Sequence, residues 1–158
     1  MPSYRPNDSR AVLLAKSRIA QRMQTAPKPA GVLIIDDQEI EMDRLSARLR
    51  GVFGFETMIR AARTLRAALT ATEKQQPGLI FLDDNLKPLN TATTSIPSLR
   101  KAGAACPIIV ISAQVERRRS AALVELGALA VVDRDHLTGA RIAEAWLRHW
   151  KLWDEPGA

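Results

Sequence analysis

Beyond residue 30 the chain alternates short apolar runs with amphipathic stretches, a pattern that few architectures accommodate. The runs are Val32–Ile35, Phe55–Ile59, Leu79–Leu82, Ile108–Ile111 and Leu129–Val132. Each is long enough for one buried strand and too short for a helix. Between the first two, Met42, Leu45 and Leu49 fall at helical spacing, with Gly51 as the expected stop. Thr64 is placed to cap a second helix carrying Leu65, Ala68 and Leu69. A third is expected around Ser95–Ala102 with Pro97 in its first turn, because proline lacks the amide an interior position needs. A fourth runs from about Glu116 to Leu126 before Gly127, and a fifth from about Thr138 to Trp153. Strand and helix in turn predict an α/β protein: a doubly wound, five-stranded parallel sheet with five helices.

The 158 residues, 46% of them apolar, suffice for one such domain with a real core. No apolar run is long enough to cross a bilayer and no compact apolar stretch resembles a signal peptide, so a cytoplasmic location is expected. Cys106 is alone, which rules out an internal disulfide and a cysteine-based zinc site, and its place before an apolar run suggests a buried thiol. The net charge of +6 is concentrated in residues 1–29, where Arg5, Arg10, Lys16, Arg18, Arg22 and Lys28 face Asp8 alone. The rest of the chain is close to neutral, and it carries no helix-turn-helix, zinc spacing or aromatic-and-basic strand, so nucleic acid is not an expected partner. The division is therefore a basic helical extension with a proline-containing linker over 1–30, a domain over 31–153 and a tail over 154–158.

The chemistry gathers where the apolar runs end. Asp36 and Asp37 close the first, Asp83, Asp84 and Asn85 follow the third, Ser112 closes the fourth and Arg134 follows the fifth. Open parallel sheets collect ligands beyond the carboxyl ends of their strands, so these residues are expected to share one site. Carboxylates that close need a counter-charge, and a hard cation with oxygen ligands, Mg²⁺ above all, is the natural one. A hydroxyl and a guanidinium opposite such a metal suit a phosphoryl group. Paired acids at a strand end also have a plainer use, capping the next helix.

In "LIIDDQE", "PGLIFLDDNLKP", "PIIVISAQ" and "GALAVVDRD", taken in that order, residues 31–153 resemble the receiver domain of two-component response regulators, which has the flavodoxin-like fold. The resemblance implies Asp83 as phosphoacceptor and Asp36 and Asp37 as Mg²⁺ ligands, joined by Asp83 itself and the backbone carbonyl of Asn85. It implies Ser112 and the amide of Ala113 as donors to the phosphoryl oxygens, and Arg134 as the basic residue. Asp84 competes for the acceptor role because Pro88 stands four residues beyond it, an offset common in receivers; the separation from Pro77 and the place of Asn85 favour Asp83. Two departures stand out: Arg134 and Asp135 replace a common lysine and proline, and Val131 stands where many receivers carry a switching aromatic. With the chain ending at Ala158, the expectation is a stand-alone response regulator. It would be phosphorylated by a sensor histidine kinase or a histidine phosphotransfer protein and act through protein contacts. No chemistry is expected beyond Mg²⁺-dependent phosphorylation and dephosphorylation of the receiver itself. The alternative is a phosphorylation-independent scaffold or kinase-binding module. A haloacid-dehalogenase-type phosphatase fits poorly, since its nucleophilic aspartate is followed two residues on by another, whereas Asp83 is followed by Asn85.

Two further surfaces suggest partners. Ile142, Trp146, Trp150 and Trp153 form a stripe on the last helix, with Trp153 the first candidate for an anchor and sheet packing the plainer use of the rest. In the extension, Asp8 or Ser9 is placed to cap a helix through about Gln24 with Val12, Ala15, Ile19 and Met23 on one face. A helix that short needs something to pack on: its own domain, a kinase, or a second copy in a homodimer, for which the last helix is the other candidate surface. The basic run Arg117–Arg119, at a helix start where cations oppose the dipole, is expected on a solvated face, with an acidic partner as the alternative.

Overall fold

A computed structural model describes residues 7–86 and 90–153, without the side chains of residues 7–14. In chain order the elements are α1 (Asn7–Thr25), β1 (Val32–Ile35), α2 (Glu39–Phe53), β2 (Ile59–Ala62), α3 (Leu65–Lys74), β3 (Leu79–Asp83), β4 (Asn85–Leu86), β5 (Asn90–Thr91), α4 (Ala92–Lys101), β6 (Ile108–Ser112), α5 (Arg117–Glu125), β7 (Ala130–Asp133), a 3₁₀ turn (Arg134–His136) and α6 (Gly139–His149). Five strands form one parallel sheet in the order β2-β1-β3-β6-β7, the doubly wound arrangement expected from the alternation. The order reverses at β1, which places a crevice between the carboxyl ends of β1 and β3.

Strand alternation sorts the sheet's side chains into two cores. Val32, Ile34, Leu79, Phe81, Ile109 and Ile111 pack with Met42, Leu45, Leu49 and Phe53 of α2 and Ile142 and Trp146 of α6. Leu33, Ile35, Ile80, Leu82, Ile108 and Val110 pack with Leu65 and Ala68 of α3, Ile96 and Leu99 of α4, and Leu123 of α5. The central strands are buried on both faces, which is why they appear in the sequence as unbroken apolar runs. Continued past the end of β3, the alternation puts Asp83 with the α2 and α6 face and Asp84 with the α3–α5 face.

Several boundaries differ from expectation. The second strand is Ile59–Ala62, not Phe55–Ile59. Phe55 is 86% exposed in a turn where Thr57 donates through both its amide and its hydroxyl to the carbonyl of Gly54. Gly51 does not stop α2: the helix continues to bury Phe53 against Trp146 and ends at Gly54, whose φ of 108° suits a residue without Cβ. Helix α4 starts three residues before the expected point, so Pro97 lies in its interior, exposed, between the buried Ile96 and Leu99. Thr64 caps α3 as expected, its hydroxyl accepting from the amide of Ala67.

The last helix stops at His149, and a reversal follows in which Lys151 adopts φ 57°. That reversal folds Trp153 back to 7% exposure beside Ala26 and Leu147, whereas Trp150 is 44% exposed. The exposed tryptophan is thus Trp150, not Trp153. Helix α1 begins at Asn7, ahead of Asp8 and Ser9, and the position that would cap it lies outside the described residues, as do the side chains of Arg10 and Val12. Its described end packs on α6: Ile19, Met23 and Ala26 lie against Leu147, Leu152 and Trp153, and the Trp146 indole donates to the carbonyl of Pro27 at 2.7 Å. Cys106 is half-buried against the second core, and burial pushes its thiol up to about 11, so it stays protonated. Among the described residues no helix is long and apolar enough to cross a membrane.

Candidate functional site

The β1–β3 crevice holds the acids. Asp36 follows β1 and Asp83 ends β3; both are buried, at 3% and 7% exposure. Asp37, half-buried, joins them, and the three each place a carboxylate oxygen within 4.8 Å of the others. Neither member of the first acid pair supplies a side-chain cap to α2, whose N-cap is Gln38; instead Asp36 Oδ1 accepts from the Gln38 amide at 2.9 Å, a local turn that fixes the carboxylate.

Arg134 reaches in from the end of β7. Its Nη1 lies 3.2 Å from both Asp36 Oδ2 and Glu41 Oε2, and its Nη2 lies 3.3 Å from Asp83 Oδ1. One guanidinium therefore bridges the ends of β1 and β3 and the first turn of α2, as a planar fork can and a single ammonium cannot. Burial alone would lower the pKa of Arg134; the facing charges of Asp36 and Asp83 outweigh it, and the net shift is upward.

Asp83 is the perturbed acid. Its pKa is raised to about 6, chiefly by burial; the amide of Asn85, donating to Oδ1 at 3.1 Å, works against the rise, the charge of Asp36 adds to it, Arg134 opposes it and Asp37 adds to it. Such a carboxylate gains from any further cation. The donor set, three carboxylates from two strand ends, is hard and anionic and fits Mg²⁺.

Asp84, the next residue, lives in different surroundings. It accepts from Arg119 Nε at 2.9 Å through Oδ2 and from Arg119 Nη2 through Oδ1, and Oδ1 also accepts from the amide of Ala92, the first residue of α4, at 3.0 Å. Burial would raise its pKa, but these donors outweigh burial and lower it. Ser112, 6% exposed at the end of β6, donates to the carbonyl of Gln114 at 2.9 Å and accepts from the Gln114 amide at 3.3 Å; Ala113 follows it, exposed. Asn85 pairs with Thr91 in the small β4–β5 hairpin; Pro88, between the two strands, lies outside the described residues.

The structure thus brings Asp36, Asp37, Asp83 and Arg134 together, and sets Asp84 apart. Two participants went unrecognised in the sequence. Glu41 lies in the first turn of α2, and its only signal in the sequence is an acid close behind the pair. Arg119 belongs to the run expected on a solvated face, and only the fold shows that it meets Asp84.

Over residues 32–140 the sequence matches the response regulator receiver domain family. The chain belongs to that family. Among solved structures this receiver is similar to a two-component response regulator from Clostridium difficile, at 20% identity over 76% of this chain and 97% of that one, with a TM-score of 0.65. It is also similar to the signal receiver domain of a DNA binding response regulator from Colwellia psychrerythraea, at 18% identity over 77% and 98%, with a TM-score of 0.65. At those identities the likeness carries the fold alone. No curated protein matches the sequence.

Proposed function

We propose that this receiver accepts a phosphoryl group on Asp83 from a sensor histidine kinase or a histidine phosphotransfer protein, with Mg²⁺, and signals through protein contacts. The observation that carries the reading is the placing of Asp83: a buried carboxylate at the switch point of the sheet, beside Asp36 and Asp37 and within 3.3 Å of Arg134. Its two contacts with Asn85 and Arg134 both fall on Oδ1, which leaves Oδ2 as the attacking oxygen. Oδ2 attacks phosphorus, the bond from phosphorus to the donor imidazole nitrogen breaks, and that nitrogen leaves with the electron pair and takes up a proton. The product is an acyl phosphate. Such a displacement depends on positioning and charge neutralisation more than on covalent help. Arg134 steadies the developing charge, and Ser112 and the amide of Ala113 are the donors for the phosphoryl oxygens. Asp36, Asp37, Asp83 and the Asn85 carbonyl would hold Mg²⁺, which when bound would supply charge neutralisation for the transfer.

One observation favours a second reading, a phosphorylation-independent binding module: Arg134 already bridges Asp36 and Asp83 with a cation from the chain itself. Intact-mass measurement after treatment with a small acyl phosphate and Mg²⁺ separates the two. A single phosphoryl adduct lost in Asp83→Asn and kept in Asp84→Asn supports the regulator. Absence of both adduct and Mg²⁺ binding, with no labelling by a kinase, supports the module.

A further inference from the structure

Helix α5 is weakly held. Of its nine residues only Leu123 is fully buried in the core. Its N-cap, Glu116, makes no side-chain hydrogen bond, and its first turn holds no acid but Arg117, Arg118 and Arg119, cations set against the positive end of the helix dipole. Ser120 adds a buried hydroxyl with no partner among the described residues. What fastens this turn is Arg119, which forks onto Asp84 and reaches Thr93 Oγ1 at 3.4 Å. Asp84 is joined by one peptide bond to Asp83, and its amide donates to the carbonyl of Ile111 at 2.9 Å, one residue before Ser112. The segment 113–116 that leads into α5 is pinned at its start by the bond from the Ser112 hydroxyl to the Gln114 carbonyl.

We propose that the Asp84–Arg119 pair is the latch through which the state of Asp83 reaches α5: closed in the unmodified receiver, released when Asp83 is phosphorylated. The inference rests on Asp83 being the phosphoacceptor. A phosphoryl group on Asp83 competes for the Ser112 hydroxyl, which must leave the Gln114 carbonyl to reach it. Freed at that point, segment 113–116 no longer holds the start of α5 in register with Asp84. Arg119 then lets go, and a first turn with three cations and no side-chain cap bond loosens. The two adjacent aspartates divide the work across the sheet: Asp83 takes the charge on the α2 and α6 face, and Asp84 passes the consequence to the α3–α5 face. No switching aromatic is needed, and the chain has Val131 on β7.

Hydrogen exchange of the full chain, read in peptides covering residues 113–120 with Mg²⁺ and with or without a small acyl phosphate, tests this. In the parent, exchange there is expected to rise about threefold or more with the adduct. In Asp84→Asn and Arg119→Gln it should be fast before any phosphodonor is added and change little when the adduct forms on Asp83, while Arg119→Lys, which keeps the charge but not the fork, should fall between. Slow exchange in Val32–Ile35 reports that each variant is folded. Variants with the parent's slow baseline and full response, or a stoichiometric adduct on the parent with no response in 113–120, would overturn the latch alone. Failure of the parent to take an adduct from phosphodonor or kinase would overturn the phosphoacceptor reading and the latch with it.

Discussion

Asp83 and Asp84 are neighbours in sequence, yet the folded chain moves their acidities in opposite directions. Burial and two acidic neighbours raise Asp83 to about 6, whereas the Arg119 fork and the Ala92 amide outweigh burial and lower Asp84. The consequence for stability is directional. Unfolded, Asp83 loses its proton near its ordinary value of 3.8; folded, it holds the proton to about 6, so the native state binds more protons between those values and stability falls as pH rises through that window. Without divalent cation at pH 8, Asp83→Asn is therefore expected to be more stable than the parent by about 1–2 kcal/mol, or roughly 2–4 °C of melting temperature per kcal/mol, with the gain vanishing below about pH 4. Thermal melts across pH check this, and a variant no more stable than the parent at pH 8 would remove the burial argument. Saturating Mg²⁺ should raise the parent and leave Asp83→Asn nearly unmoved, because stabilisation follows binding to the native state. Removing the other charge has the reverse effect. Arg134→Ala leaves Asp36 and Asp83 facing each other and is expected to destabilise by about 1–3 kcal/mol, below the loss for a fully buried pair because the guanidinium is 22% exposed. It should also extend the pH-dependent loss of stability above pH 6, since Arg134 is one of the groups holding Asp83 down.

At the scale of elements, what the sequence revealed depended on whether local chemistry or tertiary burial set the boundary. The runs at β1, β3 and β6 are buried on both faces, so apolar character alone located them to within a residue. The edge strand β2 carries Arg60, whose guanidinium donates to the carbonyls of Ala71 and Gln75 at the end of α3, so its pattern is mixed and the more apolar stretch before it belongs to a turn. The carboxylate cluster was legible for the same reason as the strands, because acids that close apolar runs fall at one edge of a parallel sheet. The Arg119–Asp84 pair was not, because two residues 35 apart meet through the placing of α5 on the sheet. Pro97 shows propensity losing to packing: Ile96 and Leu99 are fully buried, and α4 accepts an interior proline to keep them there. Since Pro97 itself is exposed, Pro97→Ala should restore an amide for the carbonyl of Thr93 without disturbing the core, raising stability by about 1–3 kcal/mol. A melting temperature unchanged or lower in that variant would mean that α4 is already distorted around the missing bond.

For the whole molecule, the extension and the receiver share a core at the end of the sheet remote from the acids. Helix α1 leads into the start of β1, and its last turns cover Leu147 and Trp153, while Arg22 Nη1 donates to the carbonyl of Leu152 at 3.1 Å. This arrangement accounts for two of the three tryptophans in a chain only 4% aromatic: Trp146 bridges Phe53 and the Pro27 carbonyl, and Trp153, beyond the end of α6, seals the seam with α1. The site lies at the opposite strand ends, so the two functions of the chain, holding α1 and holding the acids, should be separable. Deleting residues 1–25 is expected to uncover Leu147 and Trp153 and lower stability by about 2–4 kcal/mol, the scale for exposing one or two large apolar side chains. Under conditions where the shortened chain remains folded, it should still take a phosphoryl adduct on Asp83 to the same extent as the parent. Trp153→Ala, which removes the seam while leaving α1 in place, should reproduce much of the loss. Loss of the adduct in the folded, shortened chain would tie α1 to the chemistry across the sheet. A shortened chain as stable as the parent would instead mean that the α1 seam contributes nothing to the fold, and that Leu147 and Trp153 find other cover when it is gone.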